Sequence, residues 1–222
     1  MRILFEDESV VVCVKTVGTL SQGEENNSLV TILGEQTGGE VFPVHRLDRE
    51  AGGVMVFAKT KKAAASLSHQ VAQRELQKEY YALLHGIPEE ESAVLSDFLF
   101  KDSKKNKVFV VARERKGVRK AVCEYETLLS ADDGCEAFSL VRVRLQTGRT
   151  HQIRVQFSSR HCPLFGDRKY GAKDGEKVMA LFSCRIGFTH PETGERMSFF
   201  CDETESIPLN RAIDAAKNCG RL

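Results

Sequence analysis

The chain has 222 residues, a hydrophobic share of 41%, a charged share of 28% and a formal net charge of +1. That is an ordinary globular composition with enough apolar mass for a core, in one large domain or two small lobes. Seven scattered cysteines, none in C-x-x-C spacing, argue against a disulfide framework and a zinc site, and H-E-x-x-H is absent. The N-terminus turns acidic at Glu6-Asp7, too soon for a signal peptide. No apolar run approaches the roughly 18 residues of a membrane span. The expectation is a reduced, cytoplasmic protein with no membrane contact.

In chain order, Ile3–Phe5 and the β-branched run Val10–Val14 read as strands separated by Glu6-Asp7-Glu8-Ser9. A polar loop follows from Gly18 to Asn27. Ser28 is placed to cap a short helix carrying Leu29, Val30, Ile32 and Leu33, ended by Thr37-Gly38-Gly39. Val54–Ala58 reads as a buried strand. Thr60 caps a longer helix through about Leu76, with Ala63, Ala64, Leu67, Val71 and Ala72 on one face. Further strands are expected at Tyr80–Leu84, Val108–Ala112, Ala121–Leu129 and Phe138–Leu145, with turns at Pro88–Glu91 and Asp132-Asp133-Gly134. In Phe138–Leu145 the parity of Val141, Val143 and Leu145 faces inward and the arginines face out. Val178–Ser183, Arg185–Thr189 and Arg196–Cys201 close the strand set, and a last helix runs from near Pro208 to before Gly220. Interleaved strands and helices with many hairpins indicate an α+β fold on a mostly antiparallel mixed sheet with flanking helices, without linker or repeat.

Two segments concentrate chemistry. His45-Arg46-Leu47-Asp48-Arg49-Glu50-Ala51-Gly52-Gly53 sets one carboxylate among cations, which favours its charged form. It stands before a rigid strand, where catalytic groups are often carried. A surface ion pair opening a hairpin would use the same residues. In the second, Leu145–Phe157, the order is strand, glycine turn, helix, with Thr147 or Thr150 as cap. Ile153 and Phe157 anchor that helix. Arg154, about 100° round the axis from Ile153, emerges at the border of core and cleft, where a guanidinium can grip a carboxylate with two hydrogen bonds. Arg149 and His151 point from the helix start. Pro163–Gly171 reads as a loop.

Charge is uneven. Residues 101–169 carry 16 Lys or Arg against 8 Asp or Glu. The block from Lys101 to Lys120 suits a polyanion, although a solvated hairpin would look the same.

In this order, these segments resemble the RluA-type pseudouridine synthases. His45–Gly53 is similar to the family's H-R-L-D-R-x-T-S/T-G, Lys78–Ala82 to K-x-Y-x-A, Thr147–Val155 to T-G-R-T-H-Q-I-R-V without a gap, and Cys162–Gly171 to H-P-I-x-G-D-x-x-Y-G. His190–Glu195 fits the family's late turn. The departures are Ala51-Gly52 for Thr-Ser or Thr-Thr, Lys15-Thr16 for Lys-Pro, and His161-Cys162-Pro163 for Gly-His-Pro. Some relatives carry an S4-type RNA-binding domain, whereas this chain is expected to be one catalytic domain over residues 1–222, with a pseudouridine synthase-like fold and a central catalytic cleft.

The resemblance implies conversion of uridine to pseudouridine in ribosomal or transfer RNA, without metal, cofactor or an obligate protein partner. It implies Asp48 as nucleophile or electrostatic partner at ribose C1′ or uracil C6, Arg154 as its counter-charge, and Tyr80 as platform for a base that must leave its stack. It makes His45, Arg46, Arg49, Arg149 and His151 RNA contacts, Arg46 stacking where the base has left. Two other classes are weighed against this. A noncatalytic RNA-binding protein would keep the basic surface with a degenerate site. A glycoside hydrolase would need a second carboxylate about 5–10 Å from Asp48, for which Glu50 is the near candidate.

Overall fold

The computed structural model describes residues 1–23, 27–132 and 137–222. Its strands are β1 (Arg2–Glu6), β2 (Val10–Lys15), β3 (Phe42–Pro43), β4 (Gly52–Ala58), β5 (Gln77–His85), β6 (Ser92–Asp102), β7 (Lys107–Val111), β8 (Val118–Asp132), β9 (Ala137–Leu145), β10 (Leu181–Thr189) and β11 (Arg196–Phe200). Its helices are α1 (Leu29–Thr37), α2 (Lys61–Gln73), α3 (Gln152–Ser158) and α4 (Ile207–Asn218), with one 3-10 turn at Arg168–Tyr170. β2 pairs antiparallel with β1 and β4, β3 with β4, β6 with β7 and β8, β8 with β9, and β10 with β11. β4 and β10 run parallel, so the fold is α+β on a mixed, mostly antiparallel sheet, as expected. No helix among the described residues is long and apolar enough to cross a membrane.

The chain forms two compact units. The first comprises Met1–Glu79 and Phe182–Glu205. Its strands run β1-β2-β4-β10, with β3 also on β4 and β11 on β10. Val10–Cys13 and Val54–Ala58 have no exposure at all, which is why both read as continuous apolar runs rather than alternating ones. Ser28 and Thr60 accept the backbone N–H of Thr31 and Ala63, so the two caps form as expected. The second helix ends at Gln73, short of Leu76, because Arg74 turns into the left-handed region with its N–H on Gln70 and Val71 carbonyls. Gly53, with φ +123°, marks a close approach: a Cβ there would sit 2.4 Å from the Ser183 backbone.

The second unit comprises Tyr80–Leu181 and Ser206–Leu222, with strand order β5-β9-β8-β6-β7. α4 buries Leu209, Ala212, Ile213 and Ala216, one face at helical spacing. α3 packs on β6 and β7, where Leu99, Val108, Ala121, Val155 and Tyr170 make a small core. In β9 Val141 and Val143 are buried and Arg144 exposed, the expected parity. The strand set differs from expectation: β3 and β6 are strands beyond those expected, and the run 181–189 is one strand, β10, rather than parts of two. Part of the expected turn at Asp132-Asp133-Gly134 lies outside the described residues, as does Cys135.

Candidate active site

In the first unit the segment around Asp48 is held by backbone. Leu47 is clamped in both directions by Ser21, whose hydroxyl donates to the Leu47 carbonyl at 2.9 Å and accepts its N–H at 3.0 Å. Arg49 reaches Gly18 the same way: the Gly18 N–H donates to the Arg49 carbonyl at 2.8 Å, and Arg49 Nε donates to the Gly18 carbonyl at 3.0 Å. A turn closes with Ala51 N–H on the Asp48 carbonyl at 3.1 Å. Asp48 itself is half-buried, while Arg46, Arg49 and Glu50 lie at or near the surface.

Beneath this turn lies Lys15, only 1% exposed. Its Nζ donates to the carbonyls of Ala51 (2.7 Å), Thr16 (3.0 Å) and Arg49 (3.2 Å), three acceptors for three N–H bonds. Burial pushes the ammonium down to about 8, against the opposing pull of Glu205, Glu50 and Asp48. The turn is thus supported from below, and a Cβ on Gly52 would press on the Lys15 carbonyl at 3.2 Å and the Phe182 ring at 3.4 Å. Sequence reasoning misses Lys15 and Ser21 because a lysine ending a strand ordinarily points to water.

His45 is turned to the strand that follows. Its Nε2 accepts the Val56 N–H at 3.2 Å, so Nδ1 carries the ring proton, and Nδ1 is buried without a hydrogen-bond partner. Burial and the Lys78 charge push it down to about 3, so the ring is neutral.

In the second unit α3 begins without a threonine cap. Its N-cap is His151, in the left-handed region at φ 51°, with no side-chain cap bond. Thr147 instead accepts the Val122 N–H at 2.8 Å and donates to Gln152 Oε1, which also accepts the Arg149 N–H at 3.0 Å. Ile153 and Phe157 are buried as expected. Arg154 is not at a border: it is 3% exposed, and its Nε and Nη2 donate to the two Asp167 oxygens at 2.7 and 2.8 Å. The loop Pro163–Gly171 therefore supplies the partner of Arg154. The Tyr170 ring lies 5.2 Å from the Arg154 guanidinium, and its hydroxyl accepts the Val108 N–H at 2.9 Å and meets His151 Nδ1 at 2.8 Å. Tyr80 is 5% exposed.

The basic block belongs to this unit. Lys101, Lys104, Lys105, Arg113, Lys116, Arg119 and Lys120 are exposed. The connection from β7 to β8 is pinned by Arg115 over the Phe100 ring at 5.5 Å. Arg149, also exposed, donates from Nε to the Lys120 carbonyl at 3.0 Å, so the glycine turn and the basic block form one continuous cationic surface. Among the described residues no group of three or more His, Cys, Asp or Glu side chains is arranged to hold a metal ion.

Comparison with known proteins gives the same direction from sequence and from fold. The RNA pseudouridylate synthase family matches residues 9–159. An uncharacterized RNA pseudouridine synthase of Aquifex aeolicus is 34% identical over 93% of this chain and 71% of its own length. The ribosomal large subunit pseudouridine synthase D of Zymomonas mobilis is 31% identical over 94% and 71%. Human RNA pseudouridylate synthase domain containing 1 superimposes with a TM-score of 0.79 over 97% of this chain and 94% of its own, at 21% identity. A braced aspartate turn, a glycine turn leading into an arginine-bearing helix, and a match running through both place this chain in the RluA-type RNA pseudouridine synthases, isomerases that act on uridine in RNA.

Proposed function

We propose that this cytoplasmic enzyme converts a uridine of ribosomal RNA to pseudouridine with Asp48 as the catalytic carboxylate, residues 1–222 acting as one catalytic domain and RNA as the required partner. The carrying observation is the Asp48 turn, fixed by Ser21, Arg49 and a buried lysine, with Asp48 itself half-buried. Immobilised backbone around a reachable carboxylate is what attack on a single carbon requires. Ribosomal RNA is favoured over transfer RNA because relatives from Zymomonas mobilis and Pasteurella multocida are named for the large ribosomal subunit.

In this reading Asp48 attacks ribose C1′ or uracil C6. The bond from C1′ to N1 breaks, the uracil turns, C5 bonds to C1′, the bond to Asp48 breaks and restores its carboxylate, N1 takes up a proton, and the C5 proton leaves to solvent. Arg154 is the counter-charge of Asp48 and Tyr80 the platform for the extruded base. Arg46 fills the stack, and Arg49 and Arg149 contact phosphates together with the 101–120 block. His45 is assigned to bracing β4 rather than to RNA, since its accepting nitrogen is already committed. His151, whose Nδ1 meets Tyr170 at the start of α3, is assigned to RNA contact.

The test is tritium release from RNA labelled at uracil C5. Wild type releases tritium; Asp48→Asn binds the same RNA and releases none. Release by Asp48→Asn at the wild-type rate would leave a noncatalytic role for the aspartate and overturn the assignment.

A further inference from the structure

We infer that Asp167 and Tyr170 are positioning residues that fix the direction of the Arg154 guanidinium; the inference rests on the reading of Arg154 as the counter-charge of the catalytic carboxylate. Asp167 is 2% exposed and takes the Nε–Nη2 edge of the guanidinium with both oxygens. A planar fork held along one edge has a defined plane and a defined direction for its other edge, which carries Nη1. The Tyr170 ring, 5.2 Å away, adds a contact to the flat face. Together they restrain a side chain that otherwise has many rotamers.

The turn that delivers them is itself held. The Asp167 carbonyl accepts the N–H of Tyr170 (3.0 Å) and Ala172 (3.1 Å). Gly166, at φ +74°, sits where a Cβ would lie 2.7 Å from the Val178 carbonyl. Its N–H donates to Asp174, whose carboxylate also meets His85 Nε2 at 2.6 Å. From the far end of α3, Ser158 donates to the Tyr170 carbonyl at 2.6 Å. α3 has only seven residues, too few to hold a helix unaided, so this turn clamps the helix as well as the arginine. A merely structural account is weaker. Buried ion pairs contribute little net stability over apolar residues of the same size, so their use lies in geometry.

A double-mutant cycle reads this. Turnover and KM on the labelled RNA are measured for Arg154→Ala, Asp167→Asn and the double variant. Asp167→Asn lowers kcat about 100-fold with KM nearly unchanged, the loss typical of a misplaced catalytic group. In the Arg154→Ala background, Asp167→Asn costs nothing further. Full additivity, or wild-type kcat in Asp167→Asn beside a dead Arg154→Ala, overturns the inference alone. Wild-type kcat in Arg154→Ala removes the underlying reading of Arg154. Should Asp167→Asn not fold by near-UV circular dichroism, the second pair decides: Tyr170→Phe keeps the ring and retains kcat, Tyr170→Leu loses it. Equal kcat in these two overturns the inference.

Discussion

Replacing Lys15 by methionine separates the stability of the protein from the order of its aspartate turn. The lysine is charged in the unfolded chain up to about 10.5 but only to about 8 in the fold, because burial penalises the ammonium. The native state therefore binds fewer protons than the unfolded state between those values, and stability rises with pH across that window. Below pH 8 the whole penalty is present, roughly 3 kcal/mol, and from pH 7 to 9.5 wild type regains about 2 kcal/mol of it. Lys15→Met carries no such charge. It does leave the Ala51 carbonyl without its buried donor, at a cost of about 1–3 kcal/mol, while Thr16 and Arg49 carbonyls can turn to water. The two effects nearly cancel at pH 7. Urea unfolding should then show the variant within about 2 kcal/mol of wild type at pH 7, and without wild type's rise toward pH 9.5. Turnover should fall about 100-fold all the same, since the turn bearing Asp48 has lost its central brace. Equal pH slopes in the two proteins, or turnover that tracks stability, would refute the reasoning.

Other expectations follow from the same network of bonds. Gly53→Ala forces a Cβ into the Ser183 backbone at a positive φ, and should cost at least about 3 kcal/mol, read as a lowered Tm. Exchanging Arg119, Lys120 and Arg149 together for glutamine should reduce the salt slope of RNA binding by about 2, since each phosphate neutralised by a cation adds roughly 0.7–0.9 to that slope; an unchanged slope would remove these residues from the interface. Burial raises Asp7, yet N–H bonds from Val10 and Ser9 and the His190 ring at 2.8 Å more than compensate, so its carboxyl is lowered overall. Its contribution is full above the usual carboxylate value and fades as pH falls through the lowered one. Asp7→Asn should flatten the acid limb of thermal stability in that range.

Much of the fold is legible in the sequence because local signals agree with the tertiary structure. Ser28, Thr60 and Pro208 mark three helix starts, and the apolar runs of β2 and β4 announce buried strands. β6 is not legible, and the reason is specific. Asp97 shares the inward parity of Leu95 and Leu99 and reaches Gln156 at 2.7 Å and Arg160 at 3.0 Å, while Phe98 and Phe100 take the opposite parity, the latter beneath Arg115. The polar residue points in and two aromatics point out, so the alternation reads backwards. β10 reads as two strands because exposed Arg185 interrupts it; in the fold that arginine lies against Phe200 of the paired strand at 5.6 Å. At the site, Asp48 and Arg154 stand out through their cationic and motif context. Asp167 falls within the matched segment Cys162–Gly171 but reads there only as part of a loop, because its partner lies thirteen residues earlier in the chain, a distance over which no local pattern operates. Lys15 is invisible for another reason: only the closing of the turn above it converts a strand-end lysine into a three-fold donor.

The way the chain is divided between its units has a consequence for its synthesis. The first unit takes residues 1–79 and then 182–205, so β4 gains its parallel neighbour only after more than a hundred intervening residues have been made. A ribosome-bound chain stopped before Phe182 holds Gly53 paired with Lys15 on one side but without Ser183 on the other, and the aspartate turn rests on an unfinished edge. Nascent chains of this protein should stay protease-sensitive near residue 50 until translation has passed Glu205, and a fragment cut between the units cannot be expressed as one continuous piece that keeps the aspartate turn native.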